Sequence, residues 1–136
     1  MTLVAVTQRT AVIGQHGEIR DTLDQRLTGW LGRCGFLVVP VPNFVAADGS
    51  GGVTALRSWI EQLSPVGVVL SGGDDPGLDQ HRDQLEFGLL GMAKDMGLPV
   101  LGICRGMQIM ARWAGGPLVQ VSGHAGERHK ISGELT

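Results

Sequence analysis

The sequence has little cysteine, no surplus of basic charge and no long apolar run. Two cysteines, Cys34 and Cys104, stand among 136 residues, too few for a disulfide framework. Reduced thiols and a cytosolic setting are the expectation. Eleven Lys and Arg face thirteen Asp and Glu, for a net charge of −2. That balance gives no footprint for nucleic acid or for an anionic membrane. No apolar run approaches the ~20 residues of a membrane span. The opening stretch MTLVAVTQRT has no charged segment before its apolar part, so it does not read as a secretory signal. No internal repeat, low-complexity tract or linker interrupts the chain. No G-x-G-x-x-G or P-loop pattern follows the first apolar run, which disfavours a nucleotide-binding flavodoxin-like module. What is left is ordinary globular composition, 43% hydrophobic and 18% charged, and one domain spanning residues 1–136 is expected.

Glycine, in contrast, is abundant at 22 residues and gathers at the ends of apolar runs, where tight turns are needed. TLVAVT (2–7) is a buried strand by its unbroken apolar run. QRTAVIGQHGEIRD reads as a polar loop. Leu23, Leu27, Trp30 and Leu31 recur at helical spacing over about 20–33. FLVVPVP is a second strand and DGSGG a loop. Residues 53–63 form a helix, VGVVLSGG a third strand, residues 78–96 a long helix, LPVLGI a fourth strand and residues 107–114 a further helix. PLVQV and HKIS are candidate fifth and sixth strands. Strands alternating with helices predict a doubly wound, flavodoxin-like α/β fold with a mostly parallel sheet in the order 2-1-3-4, helices on both faces, and an incomplete C-terminus. In such a sheet, sites lie at the carboxyl ends of the strands near the switch point. Three loops leave those ends: Gln8-Arg9, Ser71 to Asp74, and Gly102 to Gly106.

Gly102-Ile103-Cys104-Arg105-Gly106 has the form of a nucleophile elbow, a sharp strand-to-helix turn with small residues two before and two after the reactive side chain. The helix N-terminus beneath Cys104 would favour its thiolate. The Arg105 backbone N–H would point toward a developing oxyanion, and a second donor would come from the Gly72-Gly73 loop. A buried structural Cys beside a Gly-rich turn is the competing reading. Gln8 and Arg9 are polar residues at a strand end, and Arg9 could pair with a substrate carboxylate or phosphate, or simply be a surface Arg. Cys34, at the end of an amphipathic helix, reads as packing.

VLGICRGMQ, with VVLSGGDDPG about thirty residues earlier, resembles the class I glutamine amidotransferase-like superfamily. Within it the chain is similar to the γ-glutamyl hydrolase branch that includes γ-glutamyl-γ-aminobutyrate hydrolase. The segment VTQRT…GEIRDTLDQR is similar to a sub-branch acting on a nucleotide-linked γ-glutamyl amidate. The resemblance implies that Cys104 attacks the γ-carbonyl of a γ-glutamyl amide. It implies that Gly73 or Gly72, with Arg105, supplies the oxyanion donors, and that Gln108 contacts the glutamyl moiety. It calls for no cofactor and no metal. The implied partners are the small-molecule γ-glutamyl substrate and a synthetase subunit or a C-terminal part of the domain.

A Cys nucleophile of this type needs a His as base and a carboxylate to orient it. The family supplies these in a late motif, after further strands. His16, His81, His124 and His129 all lie outside any such motif. The chain is therefore expected to carry the N-terminal part of the domain, with nucleophile and oxyanion hole but without the base. A non-catalytic small-molecule-binding or interaction domain of the same fold is the alternative.

Overall fold

The computed structural model describes residues 2–43 and 50–133. Its centre is a parallel four-stranded sheet built from β1 (Thr2–Thr7), β4 (Phe36–Val41), β5 (Val68–Leu70) and β6 (Val100–Gly102), in the order β4-β1-β5-β6. This is the expected 2-1-3-4 order. β1 pairs with β4 over its whole length, from Thr2 opposite Phe36 to Thr7 opposite Val41. On its other side Ala5 and Val6 face Val68 and Val69 of β5.

Successive side chains of a strand point to opposite faces, and the two faces carry separate cores. Val4, Val6 and Val69 pack with Leu31 of α1 (Gln25–Arg33) and with Leu23, Leu27 and Ile103. Ala5, Val68 and Leu70 pack on the opposite face. There they meet Leu56 and Ile60 of α2 (Ser50–Leu63), Leu85 and Leu89 of α3 (Gln80–Met96), and Ile109 of α4 (Arg105–Trp113). Helices thus cover both faces, as a parallel sheet requires.

Caps set the helix limits. The Asp24 carboxylate accepts from the Arg26 N–H to start α1, and the Asp79 carboxylate accepts from the Arg82 N–H to start α3. Gly97, left-handed at φ 68°, ends α3.

Four expectations need correction. The polar loop after β1 is an antiparallel hairpin, β2 (Arg9–Ile13) and β3 (Glu18–Thr22), with Val12 opposite Ile19. Its four-residue turn is closed by Gly14 and Gly17, both at positive φ. Residues 18–22 accordingly belong to β3, and α1 begins only at Gln25. α2 starts at Ser50, inside the stretch expected to be a loop; Asp48 and Gly49 of that stretch lie outside the described residues. PLVQV and HKIS form no strands. Val119, Val121 and Ile131 are strongly exposed, and a strand of a parallel sheet needs cover on both faces. Among the described residues, no helix is long and apolar enough to cross a membrane.

Candidate functional site

The chain runs outward from β1 to β4 on one side and from β5 to β6 on the other, so β1 and β5 flank the switch point. A cavity of about 280 Å³ opens there. Its walls include Arg9 after β1, Ser71, Gly72 and Gly73 after β5, and Ile103 after β6. Thr22 and Leu23 at the end of the hairpin and Asp24 and Leu27 at the start of α1 complete it.

Cys104 stands beside this cavity, on the turn between β6 and α4. The turn is pinned at both ends: the Ile103 N–H donates to the Leu70 carbonyl at 3.0 Å, and the Cys104 carbonyl accepts from the N–H of Met107 and Gln108 at 3.0 and 3.2 Å. Between them Cys104 is held at φ 53°, ψ −110°, a conformation that costs a residue with a Cβ about 1–3 kcal/mol. The side chain is exposed and makes no cap bond. Gly102 and Gly106 are needed for space. A Cβ on Gly102 would lie 2.6 Å from Met110 Sδ, and one on Gly106 would lie 2.8 Å from Leu70 Cβ. The Gly72 loop comes close as well, since a Cβ built there would lie 3.7 Å from Cys104 Cβ.

The other residues singled out in the sequence divide into two groups. Arg9 lines the cavity and pairs with Asp74 at 3.2 Å, both half exposed. Arg105 is the first residue of α4, so its N–H has no acceptor within the helix. Gln8 is turned to the sheet edge, where its amide donates to the Val41 carbonyl at 3.1 Å. It does not line the cavity. Gln108 lies one turn into α4, with its Oε1 buried and unpartnered. Cys34, expected to be packed, is exposed as the C-cap of α1.

Sequence reasoning missed a buried ionic cluster beneath these loops. Arg82, Glu86 and Arg105 are at most 1% exposed, and Asp83 is 8% exposed. Glu86 Oε1 accepts from Thr7 Oγ1 at 2.6 Å and from Arg82 Nε at 3.1 Å, while Oε2 accepts from the Arg105 guanidinium. That guanidinium also donates to Asp83. Arg82 donates onward to the carbonyls of Ser71 at 2.8 Å and Gly72 at 3.0 Å. Ser71 is tied to Thr7 in both directions, N–H to Oγ1 at 3.0 Å and Oγ to carbonyl at 2.6 Å. Two arginines balance two carboxylates, which is how buried charges are tolerated. Burial pulls the Arg82 guanidinium below its ordinary value, and Glu86 opposes this. A signal was present: Arg82 and Glu86 continue the helical stripe of Leu89 and Ala93 toward the core.

No described residue hydrogen-bonds Cys104 Sγ. His16 is exposed in the hairpin turn. His81 lines a second cavity of about 530 Å³ with Thr10, Asp21, Asn43 and Asp79. His124 and His129 lie together in the irregular C-terminal segment, ring centres 4.9 Å apart. Among the described residues no cluster of His, Cys, Asp and Glu could hold a metal ion.

The chain is similar to GMP synthase [glutamine-hydrolyzing] of Synechococcus sp. (strain CC9605), 35% identical over 74 residues, which is 54% of this chain and 13% of that protein. It is similar to the protein of the same name from Maridesulfovibrio salexigens, 37% identical over 75 residues, 55% of this chain and 14% of the relative. A third, from Oleidesulfovibrio alaskensis, is 46% identical over 59 residues, 43% of this chain and 11% of the relative. The matched region thus spans only a small part of each of these longer relatives. Residues 55–132 match the family model described as Peptidase C26. That span holds β5, the Gly72-Gly73 loop, α3 with its buried charges, and the Cys104 turn, and on it the chain belongs to the peptidase C26 family, a class I glutamine amidotransferase-like family.

Proposed function

We propose that this chain carries the Cys104 nucleophile of a γ-glutamyl amide hydrolase whose catalytic His and Glu are not among the described residues, so that the chain alone is acylated by an activated ester but turns over an amide poorly. One observation carries the reading: an exposed Cys held at φ 53°, ψ −110° on a strand-to-helix turn beside the sheet's switch point. A residue is kept in so sparsely populated a conformation only where the surroundings enforce it, and such residues cluster at active sites.

In this reading the Cys104 thiolate attacks the γ-carbonyl. The charge that develops on its oxygen is met by the Arg105 N–H and by an N–H of the Gly72-Gly73 loop. The oxyanion collapses and the C–N bond breaks as the amine takes a proton from a general acid that is not among the described residues; the same group, as base, then takes a proton from the water that hydrolyses the glutamyl thioester and frees the thiolate. Arg9 meets a substrate carboxylate or phosphate, exchanging its half-exposed Asp74 partner for it. Gln108, with an unpartnered buried oxygen, accepts from the glutamyl moiety once a ligand is in place.

The substrate reading is the γ-glutamyl hydrolase branch, with glutamine, the simplest γ-glutamyl amide, as the reference substrate. The names of the relatives, which specify glutamine hydrolysis, support amide cleavage of this kind. A synthetase partner that takes the released ammonia fits the same names. No cofactor or metal enters this chemistry, and a cytoplasmic setting suits a reactive thiol.

A second reading is a small-molecule-binding or interaction domain. It is favoured by the lack, among the described residues, of a His in hydrogen-bond contact with Cys104. A γ-glutamyl 4-nitrophenyl ester separates the two, because nitrophenolate leaves without an acid. Nitrophenolate release with a γ-glutamyl adduct on Cys104, absent from Cys104→Ala, is the expected result. Binding of glutamate with no adduct above that control would establish the second reading instead.

A further inference from the structure

We propose that Glu86 is a positioning residue for acylation of Cys104, acting through Arg82 and Arg105 to fix both backbone donors that meet the oxyanion. The inference rests on the nucleophilic role proposed for Cys104.

The geometry runs as two arms from one carboxylate. One oxygen of Glu86 holds Arg82 Nε at 3.1 Å. Arg82 then places Nη2 2.8 Å from the Ser71 carbonyl and Nη1 3.0 Å from the Gly72 carbonyl. In a trans peptide the C=O and the following N–H point in opposite directions. Fixing the Ser71 carbonyl on Arg82 therefore turns the Gly72 N–H away from the buried cluster. Fixing the Gly72 carbonyl does the same for the Gly73 N–H. Gly73 itself, at φ 153°, leaves no room for a Cβ beside the Arg82 guanidinium. The same Glu86 oxygen accepts from Thr7 Oγ1, which in turn accepts from the Ser71 N–H at 3.0 Å.

The second arm reaches the other loop. The remaining Glu86 oxygen accepts from the Arg105 guanidinium, and Asp83 takes its other branch. Arg105 follows the nucleophile and opens α4, so anchoring its side chain fixes the peptide whose N–H is the other donor. The Asp83 carboxylate also accepts from the Gly77 N–H at 2.6 Å, which ties down the far end of the glycine loop. One helix, α3, thereby sets the spacing of two loops that are about thirty residues apart in sequence. Charged fork geometry suits this task, because a guanidinium presents its donors in a fixed plane.

The test compares two reactions of the same sulfur. With the γ-glutamyl 4-nitrophenyl ester, sulfur bonds to the carbonyl carbon and the π pair moves onto oxygen. The C–O bond then breaks, and nitrophenolate leaves with the bonding pair. With iodoacetamide, sulfur bonds to carbon as iodide leaves, and no oxyanion forms. Both rates are measured on the full chain for wild type, Glu86→Gln and Arg82→Lys, with thermal midpoints as a check of folding. Glu86→Gln keeps the shape and loses the charge. Arg82→Lys keeps the charge and loses the fork that spans two carbonyls.

The expected result is an acylation rate lower by about 10²-fold, the scale of a 1 Å misplacement, with alkylation near the wild-type rate. An unchanged ratio of the two rates in either folded variant overturns the proposal. Failure of both variants to fold overturns it too, since the cluster would then hold the fold rather than the site. If wild type itself is not acylated above Cys104→Ala, the nucleophile reading fails. If wild type is acylated and the variants keep its ratio, only the role of Glu86 fails.

Discussion

Gly106 at the start of α4 lies against Leu70 at the end of β5, so close that a Cβ on Gly106 would sit 2.8 Å from Leu70 Cβ and 2.7 Å from its carbonyl carbon. The contact brings the Cys104 turn onto the strand that leads into the glycine loop. Two of the three site loops are therefore set by one backbone approach, and any side chain at residue 106 must push them apart.

Glycine substitutions should separate accordingly. Gly106→Ala and Gly102→Ala force overpacking, expected to cost about 1–3 kcal/mol each. Gly91→Ala, on α3 with no atom within 4 Å of the added Cβ, should instead stabilise by about 0.5–1 kcal/mol through helix propensity. Urea unfolding of the three variants checks the ordering. Equal effects at all three would mean that the Cys104 turn is not crowded.

Cys104 should react with iodoacetamide faster than Cys34 near neutral pH. Both thiols are exposed, so access does not separate them and the local field does. Cys104 sits at the N-terminus of α4 and Cys34 at the C-terminus of α1. A helix N-terminus stabilises the negative charge of an attacking sulfur, and a C-terminus opposes it. Peptide mapping by mass after brief labelling decides this, and preference for Cys34 would count against the elbow reading.

Turnover of a γ-glutamyl anilide should not exceed that of Cys104→Ala. An anilide nitrogen must be protonated to leave, and acid–base assistance is typically worth ~10²–10⁴ in rate. No described residue hydrogen-bonds Sγ to give or take that proton. Turnover above the control would assign the role to one of His16, His81, His124 or His129, and replacing each in turn would show which.

Asp79 should contribute a pH-dependent part of the stability. Partial burial pushes its carboxyl up, but the Thr10 hydroxyl at 2.6 Å, the Arg82 N–H and the nearby guanidinium groups outweigh this and hold it below the usual carboxylate range. A lowered folded-state value means that the contribution is present above that range and is lost as pH falls through the folded value. Asp79→Ala should cost about 1 kcal/mol at neutral pH through the lost cap. The gap from wild type should narrow in strong acid. A gap that stays constant with pH would exclude the charge as its source.

The central sheet was legible because each of its strands is built on a short apolar run, a pattern that suits a parallel sheet covered on both faces, and Gly or Pro closes the runs of β4, β5 and β6. The Cys104 turn was legible for a similar reason, as Gly102 and Gly106 meet steric demands that any sequence making this turn must satisfy. The β2–β3 hairpin was missed because its residues are mostly polar and exposed, and register there is set by pairing rather than by an apolar face. Residues 117–133 show the reverse error, with apolar runs that read as strands and find no cover.

The sequence by itself determined the four strands of the central sheet, the glycines of the Cys104 turn and which thiol stands on that turn, because these follow from local sterics and periodicity. Only the tertiary structure decided that Thr7, Ser71, Arg82, Glu86 and Arg105 form one buried cluster. Those residues come from four separate segments. A charge is stable in the core only when it is paired; Arg82 and Glu86 pair within α3, but Thr7, Ser71 and Arg105 come within hydrogen-bond distance of them only once the sheet has brought its strand ends together.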